Sequence, residues 1–484
     1  MSDEAAAPRR TLGLTTATTI IVGSMIGSGI LLLPADMLNQ LPSPPLVMAV
    51  FVAAAILTAV GALTVAELSG MYSKAGGQYV YLREAFGPFP AYLFGWTTFW
   101  VVQTGTIAAV AAAFARILAR FVDLPGAATP LVLGGWKTGL TLPPYGQAYV
   151  AIALILALTF VNYLGVRFGG LVSNVSTIAK AVGLLAVVAI VAAFAHPPAG
   201  AFGPATPVHQ PGDPPVGAAF TGGEVLAGFS TALMLILFAY DGWYSATYVA
   251  AEMRNPRRDV PISLILGPLV TTAIYLAVAG ACLYAVTLPE ALHLGPNEYL
   301  AGRAVKDAIG EGGATFVSVL ALVSIFGTTN AYVLTAPRIA YAQAKDGLFL
   351  RSVGRLDPRR GTPAYGSLLC GLWACLLVMT GLYDQLVASV VFAVFLFHVL
   401  TAAAHLRLRR TQPGLERPFR TPWGPVFPVL FLVTSLFVVV ATLALPDYRV
   451  QALLELAIIA LGVPAYLLAR RKAARTASLP AGAT

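Results

Sequence analysis

Long stretches of apolar residues alternate with short polar connections along most of the chain. A helix needs about 20 mostly apolar residues to cross a bilayer, and about twelve stretches approach or exceed that length. The predicted spans are 12–38, 45–70, 88–119, 148–165, 171–195, 223–252, 262–287, 313–343, 364–382, 384–406, 424–445 and 450–469. Membrane β-barrels have strands of about ten residues with alternating polarity, so these continuous runs predict an all-α integral membrane protein.

The composition agrees with a membrane protein and excludes other classes. Apolar residues make up 58% of the chain and charged residues only 11%, whereas soluble proteins carry about 25% charged residues. This deficit excludes a soluble enzyme, and the apolar content excludes intrinsic disorder. The sequence contains no Walker motif and no grouping typical of a catalytic or metal site. We therefore expect no enzyme activity, no cofactor and no bound metal.

Basic residues indicate how the chain is oriented in the membrane. The net charge is +9, and most of the 30 lysines and arginines fall on one side if the spans alternate direction. Basic connections favour the cytoplasm, which predicts a multi-pass protein of the plasma or inner membrane with both termini cytoplasmic. The predicted organisation is a cytoplasmic N-terminal segment at 1–11, a single transmembrane domain at 12–470 and a cytoplasmic tail at 471–484.

Two of the predicted spans contain residues that weaken a helix near its middle. The first holds Gly23, Gly27 and Gly29, and each glycine costs about 1 kcal/mol relative to alanine in a helix. The sixth holds Phe-Ala-Tyr-Asp-Gly-Trp at 238–243, where Asp241 precedes a glycine. If spans 1–5 and 6–10 form two halves, the interruptions stand in matching positions, which is typical of transporters with inverted repeats. Close packing of small residues is the alternative for the first motif.

Broken helices offer main-chain groups that fit a zwitterion. A half-helix that begins after the first motif, near Gly29, presents N–H groups and a positive dipole end, which suit a carboxylate. A half-helix that ends near Phe238 presents carbonyl oxygens and a negative end, which suit an ammonium group. Two such ends lying close together match the two charges of a free α-amino acid.

Several motifs distributed over the chain form a set. They are Val-Gly-Ser-Met-Ile-Gly-Ser-Gly-Ile at 22–30, Ala-Glu-Leu at 66–68, Lys-Ala-Gly-Gly-Gln-Tyr at 74–79, Asn-Tyr at 162–163, Ser-Thr-Ile-Ala-Lys at 176–180, the 238–243 motif and Ala-Glu-Met-Arg-Asn-Pro at 251–256. This set resembles the amino acid–polyamine–organocation (APC) superfamily, in its L-type amino acid transporter branch. The resemblance extends over about residues 10–470, and the 238–243 motif is its most specific part.

The resemblance implies a LeuT-type fold of 5+5 inverted repeats plus two C-terminal helices, with helices 1 and 6 discontinuous. By position, the residues that it implies for substrate binding are Met25, Ile26, Gly27, Ser28, Gly29, Ile30, Phe238, Ala239 and Asp241. Phe238 and Trp243 are candidate gates, with core packing as the alternative. Animal members of the branch use a cysteine in the outer loop after helix three to bind a heavy subunit. Loop 120–147 has no cysteine, so no disulfide-linked heavy subunit is expected.

Lys180 lies inside the fifth predicted span, where an ionisable residue costs about 2.5–3.5 kcal/mol. One interpretation is a lysine whose ammonium group reaches the lipid headgroups. In the family, a lysine here resembles a built-in cation at the place where sodium-driven relatives hold Na⁺. Its expected partners are carbonyls near Gly23 and the hydroxyls of Ser324 or Thr328. This predicts sodium-independent transport, although a buried lysine that loses its proton could serve proton coupling.

These observations predict a sodium-independent secondary transporter of small neutral L-amino acids that acts as an exchanger by alternating access. The alternative is a proton-coupled symporter of cationic amino acids or polyamines, in which Asp241 accounts for the cargo and Lys180 for the proton. Large-neutral members of the branch often have glycine where Asp241 stands, which implies either a smaller pocket or some tolerance of cations. Asp241 either contacts the substrate amine directly, or its short side chain caps the broken helix or hydrogen-bonds to nearby backbone. A membrane sensor or a channel is a further class, but no soluble output domain is visible in the sequence.

Overall fold

The computed structural model describes residues 8–133, 136–195, 222–295, 298–381 and 383–477. Within these ranges, ten helical segments are long and apolar enough to cross a membrane. Two shorter apolar helices, Val225–Ala239 and Ala364–Met379, fall in the sixth and ninth predicted spans. The structure therefore confirms the predicted multi-pass, predominantly helical architecture.

The first half of the chain contains eight α-helices. They are α1 (Leu14–Met25), α2 (Gly29–Gln40), α3 (Pro44–Met71), α4 (Gln78–Phe86), α5 (Pro88–Thr97), α6 (Thr104–Leu118), α7 (Tyr145–Leu164) and α8 (Val166–Phe194). The strands β1 (Thr129–Leu133) and β2 (Trp136–Leu142) pair antiparallel between α6 and α7. The apolar pattern did not predict this hairpin, because it lies in the loop between two spans.

The second half of the chain contains ten α-helices among the described residues. They are α9 (Gly222–Ala239), α10 (Pro256–Ala285), α11 (Leu288–Leu292), α12 (Leu300–Ile309), α13 (Glu311–Thr335), α14 (Pro337–Lys345), α15 (Ala364–Met379), α16 (Tyr383–Thr411), α17 (Val426–Ala444) and α18 (Pro446–Ala477). The last helix continues into the segment predicted as a tail, and residues 478–484 lie outside the described ranges.

Both glycine-containing motifs coincide with helix ends in the structure. The first predicted span is divided, because α1 ends at Met25 and α2 begins at Gly29. In the sixth predicted span, α9 ends at Ala239 and the chain continues through short 3-10 turns at Ser245–Thr247 and Ala250–Glu252. Residues 240–252 are therefore not the continuous helix that a simple membrane anchor would form.

A π-helical turn at Thr98–Gln103 joins α5 to α6 in one membrane-length segment. The hydroxyl of Thr104 donates to the carbonyl of Phe99, five residues earlier, at 2.7 Å. Such a turn accommodates one additional residue within an otherwise α-helical rod.

The divided first span lies in the interior of the protein. Helix α1 packs against α8, α10 and α13, and α2 packs against α9. Large apolar side chains are exposed instead on outer helices, as Leu171 and Val182 are on α8 and Leu461 is on α18. These exposed apolar faces fit a lipid environment, because hydrocarbon solvates them at no cost.

A buried carboxylate joins the ends of two helices on the predicted cytoplasmic side. Glu67 of α3 is fully buried and accepts hydrogen bonds from Arg409 of α16 at 2.5 Å and from Arg417 at 3.1 Å. The backbone N–H of Thr421 donates to the same carboxylate at 2.8 Å. These contacts satisfy a charge that would otherwise be costly to bury.

Candidate functional site

The side chain of Lys180 ends among oxygen atoms at the break of the first span. Its Nζ donates to the carbonyls of Gly23 at 2.7 Å and Ile26 at 2.6 Å, and lies 3.1 Å from Thr328 Oγ1. Lys180 is fully buried in the middle of α8. Its ammonium group therefore does not reach lipid headgroups, which contradicts the alternative interpretation from the sequence.

Two hydroxyls of α13 bind the same break. Thr328 Oγ1 lies 2.9 Å from the Gly23 carbonyl and 2.8 Å from the Ile26 carbonyl. Ser324, one turn earlier on the same face, places its Oγ 3.0 Å from the Ile26 carbonyl and 2.9 Å from the Gly27 carbonyl. Of the two hydroxyls expected as alternative partners of Lys180, that of Thr328 contacts the ammonium group, whereas the Ser324 residue faces it with its carbonyl at 3.4 Å.

These contacts explain how a break is tolerated inside a membrane protein. Unwinding a helix exposes carbonyls that lose their partners in the helix, and leaving a polar group unsatisfied is costly when no water is near. The ammonium group of Lys180 and the hydroxyls of Ser324 and Thr328 all provide donors. The break is therefore held by donors from two neighbouring helices, α8 and α13.

The two helix breaks lie against each other. A Cβ atom built on Gly29 would come within 2.6 Å of the Ala239 Cβ, so this contact requires a glycine. The hydroxyl of Tyr275 on α10 lies 2.6 Å from the Met25 carbonyl and 3.0 Å from the Ala239 carbonyl. A single side chain thus contacts the last residues of α1 and α9. The sequence analysis missed Tyr275, because a tyrosine in an apolar span is usually a packing residue.

Asp241 is buried, with 7% of its surface exposed, and its carboxylate faces two tyrosines. Tyr244 Oη donates to Oδ1 at 2.7 Å, and Tyr332 Oη donates to Oδ2 at 3.0 Å. The backbone N–H of Gly242 also donates to this carboxylate, so the side chain contacts nearby backbone as well as the two tyrosines. Neither tyrosine was predicted, since nothing in their spacing from Asp241 marks them as its partners.

Gly242 makes the turn after Asp241 possible. Its φ is +87°, a left-handed conformation that favours glycine. A Cβ atom at this position would lie 2.6 Å from Ser24 Cβ and 2.9 Å from Tyr332 Oη. The second break is thus packed directly against the end of α1.

A cavity of about 590 Å³ extends from the breaks to the predicted outer ends of α2 and α6. Ser28, Gly29 and Phe238 lie at its end near the breaks, and Arg116 and Glu298 lie near the opposite end. The α2 N terminus has no side-chain cap, so the first N–H groups of that helix lack helical partners beside the cavity. Of the predicted binding residues, those that line this cavity are Ser28, Gly29 and Phe238.

The remaining predicted residues are not among those that line this cavity. Ile26 and Ile30 are buried, and the Met25 carbonyl contacts Tyr275. Trp243, a candidate gate, does not line the cavity and is 4% exposed. Its ring packs against those of His398 and Phe431, so in this conformation it belongs to an aromatic core cluster.

Comparison with known proteins assigns a family to this arrangement. The model of the amino acid permease family matches residues 12–463. The human b(0,+)-type amino acid transporter 1 is 31% identical over 439 residues, which cover 90% of this chain and 82% of that protein. The serine/threonine exchanger SteT of Bacillus subtilis (strain 168) is 28% identical over 437 residues, with coverage of 90% and 91%.

A third relative, the large neutral amino acids transporter small subunit 2 of Mus musculus, is 28% identical over 471 residues. The match covers 95% of this chain and 81% of that protein. These family and relative descriptions are of permeases and transporters, so the chain is an amino acid transporter and not an enzyme. The chain belongs to the amino acid permease family of the APC superfamily and resembles its L-type amino acid transporter branch.

Proposed function

We propose that this permease is a sodium-independent exchanger of small neutral L-amino acids. The observation that carries the proposal is the ammonium group of Lys180 among the oxygens of Gly23, Ile26 and Thr328. Unwound carbonyls of this kind bind the coupling cation in ion-driven transporters. Here a covalently attached cation fills the position, so transport needs no Na⁺.

The substrate binds between the start of α2 and the end of α9. The uncapped N–H groups near Gly29 receive the substrate carboxylate, and carbonyls near Phe238 and Ala239 receive the ammonium group. The contact between Gly29 and Ala239, together with the Phe238 side chain at the cavity, leaves space for a small side chain. One relative is named as a serine/threonine exchanger, which supports the same substrate class.

Transport follows alternating access in a LeuT-type arrangement of twelve helices. We infer two repeats of five helices, each beginning with a broken helix, followed by α17 and α18. The cavity extends toward the predicted outer side, which supports an outward-facing state of a plasma or inner membrane protein with cytoplasmic termini. Phe238 gates the substrate site, and Trp243 moves with it. The absence of cysteine from 120–147 supports function without a disulfide-linked heavy subunit.

Counterflow in proteoliposomes tests this function. Liposomes preloaded with unlabelled serine or alanine should take up labelled serine several-fold faster than empty ones, and replacing Na⁺ by choline should leave the rate unchanged. Empty liposomes and liposomes without protein serve as controls. An absolute requirement for Na⁺, or equal rates with and without internal amino acid, would overturn the proposal.

The buried carboxylate of Asp241 favours a second candidate, proton-coupled symport of cationic amino acids or polyamines. An acidic group beside the second break provides a partner for an additional positive charge. Uptake of labelled lysine and putrescine into empty liposomes, with the pH gradient imposed in either direction, separates the two candidates. Uptake of these cations driven by an inward proton gradient, without internal amino acid, would favour the symporter.

A further inference from the structure

A second cavity, of about 710 Å³, lies on the predicted cytoplasmic side, away from the substrate cavity. Three segments meet there: the chain before α1, the end of α3 with the residues that follow it, and the start of α10. They bring together five basic residues, Arg10, Lys74, Arg254, Arg257 and Arg258. We call this cavity the basic pocket.

The described residues that line the basic pocket carry an excess of positive charge. Its lining contains no aspartate or glutamate. Arg257 pairs with Glu416 at 2.7 Å at an exposed position. The other four cations have no ion pair with any carboxylate in the described part of the chain.

Membrane topology explains only part of this arrangement. Basic residues in the connections between helices favour the cytoplasmic side. This rule does not require them to lie close together, so it does not account for their convergence in one pocket. Converging like charges within a Debye length of about 10 Å repel one another, and an anion in their midst removes that repulsion.

The backbone fixes the segments that carry these cations. The N–H of Arg254 donates to the Leu12 carbonyl at 2.8 Å, and the N–H of Leu12 donates to the Glu252 carbonyl at 3.0 Å. This parallel bridge holds the chain next to Arg10 beside the chain next to Arg254. The pocket is thus assembled by main-chain hydrogen bonds, not only by mobile side chains.

Neutral groups in the pocket also suit an anion. Helix α10 begins at Pro256 without a side-chain cap, and its positive end lies at the pocket wall, since Asn255 and Pro256 are lining residues. Tyr72 and Ser73 also line the pocket, and their hydroxyl groups donate to Gln412 and to the Ser69 carbonyl. Guanidinium groups and a helix N terminus are groups with which proteins bind phosphate.

We propose that the basic pocket binds a phosphate group, carried either by an anionic lipid headgroup or by a soluble phosphate compound. The ends of α1, α3 and α10 around it mark the predicted cytoplasmic membrane surface, where headgroups lie. A bound phosphate bridges the chain before α1 to the start of α10.

Thermal unfolding of the full chain in detergent tests this site. The probes are dioctanoyl phosphatidylglycerol, dioctanoyl phosphatidylcholine as the lipid without net charge, and inorganic pyrophosphate. The variant is Lys74→Gln with Arg254→Gln, and the matched control removes two cations elsewhere on the same side, Arg410→Gln with Arg420→Gln. All four side chains belong to exposed residues, so both variants should fold, and their unfolding without ligand checks this.

A ligand that binds only the folded protein raises its Tm. We expect the phosphatidylglycerol probe to raise the Tm of the wild type and the control by about 2–4 °C, and to have no effect on the pocket variant. The same pattern with pyrophosphate would assign the site to a soluble phosphate. No shift with either anion, or an equal shift in all three proteins, would overturn the proposal. The measurement of Tm does not depend on transport. A negative result would therefore contradict the phosphate site without contradicting the proposed function.

Discussion

The two helix breaks differ in where the hydrogen-bond donors for their exposed oxygen atoms come from. The first break exposes the carbonyls of Gly23 and Ile26, and its donors come from α8 and α13. The second break contains a carboxylate of its own, Asp241, and one of its donors is Tyr244, three residues further along the same segment. The hydrogen bonds that hold the first break therefore come from neighbouring helices, whereas some of those at the second break come from its own segment.

Helix α13 connects the two breaks. Ser324 and Thr328 contact the first, and Tyr332 contacts the carboxylate of the second. These three residues are spaced four apart and share one face of the helix. A shift of α13 along or about its axis would thus change the support of both breaks at once. Because the first break relies on donors from other helices, we expect substitutions at its contacts to reduce exchange more than substitutions at the second break.

Substituting Lys180 should have the largest effect. Lys180→Met keeps the approximate volume but removes the charged donor to two carbonyls, leaving only the hydroxyls of α13 there, and each lost hydrogen bond to a charged group costs about 1.5–3 kcal/mol. We expect exchange in proteoliposomes to fall about 100-fold, which corresponds to about 2.8 kcal/mol. Lys345→Met, at an exposed position at the end of α14, is the matched control and should exchange normally. Wild-type exchange by Lys180→Met would show that the first break does not depend on α8.

The turn at Gly242 gives the next largest effect. Gly242→Ala places a Cβ at a φ of +87° and 2.6 Å from Ser24 Cβ, and strain of this kind costs about 1–3 kcal/mol. We expect a lower Tm and slower exchange. Gly280→Ala on α10 is the control, because its Cβ would meet only Met48 at 3.9 Å. Equal Tm values for the two variants would mean that the second break adapts freely.

Asp241→Asn should reduce exchange less than these two substitutions. It removes the negative charge of the side chain but keeps groups that can form hydrogen bonds. The amide oxygen still accepts from one tyrosine, while its NH₂ group faces the other tyrosine hydroxyl. The substitution therefore removes about one hydrogen bond to a charged group, which is worth about 1.5–3 kcal/mol. At the lower end of that range, exchange of serine should fall about 10-fold. If lysine competes with serine in the wild type, it should stop competing in this variant. Unchanged competition would remove the carboxylate from cation recognition.

Tyr275→Phe should have the smallest effect. It removes one hydroxyl that contacts the carbonyls of Met25 and Ala239, which is worth about 1 kcal/mol. We expect a decrease in exchange of about five-fold and a small decrease in Tm. Tyr145→Phe, at a position that is 53% exposed, is the control. A loss as large as that of Lys180→Met would indicate that Tyr275 holds the two breaks together.

Much of the helical architecture could be predicted from the sequence because it depends on local apolar content. The positions of the breaks could be predicted as well, since glycine weakens a helix wherever it stands. The cost of placing a charge in a membrane left two interpretations of Lys180 open, and the family resemblance supplied the buried one. Its contact with Thr328 was predicted correctly, but the role of Ser324 depended on the rotation of α13, which no local pattern specifies.

Other features could not be predicted because they depend on contacts between distant segments. Tyr275 and Tyr332 look like ordinary core residues until the fold brings their hydroxyls to the breaks. The hairpin of β1 and β2 lies in a loop that the apolar pattern treats only as a connection. Trp243 is close to Asp241 in sequence, yet it packs into an aromatic cluster with His398.

The π-helical turn at Thr98–Gln103 has a consequence for comparing permeases. Successive residues of an α-helix are about 100° apart around its axis, so the one additional residue rotates the whole of α6 by that angle relative to α5. Deleting one residue there would turn Ala113, Arg116 and Ile117 away from the cavity that they line. A relative with a plain α-helix at this point therefore presents different side chains to its outer cavity, and sequence alignments need a one-residue gap to match equivalent positions.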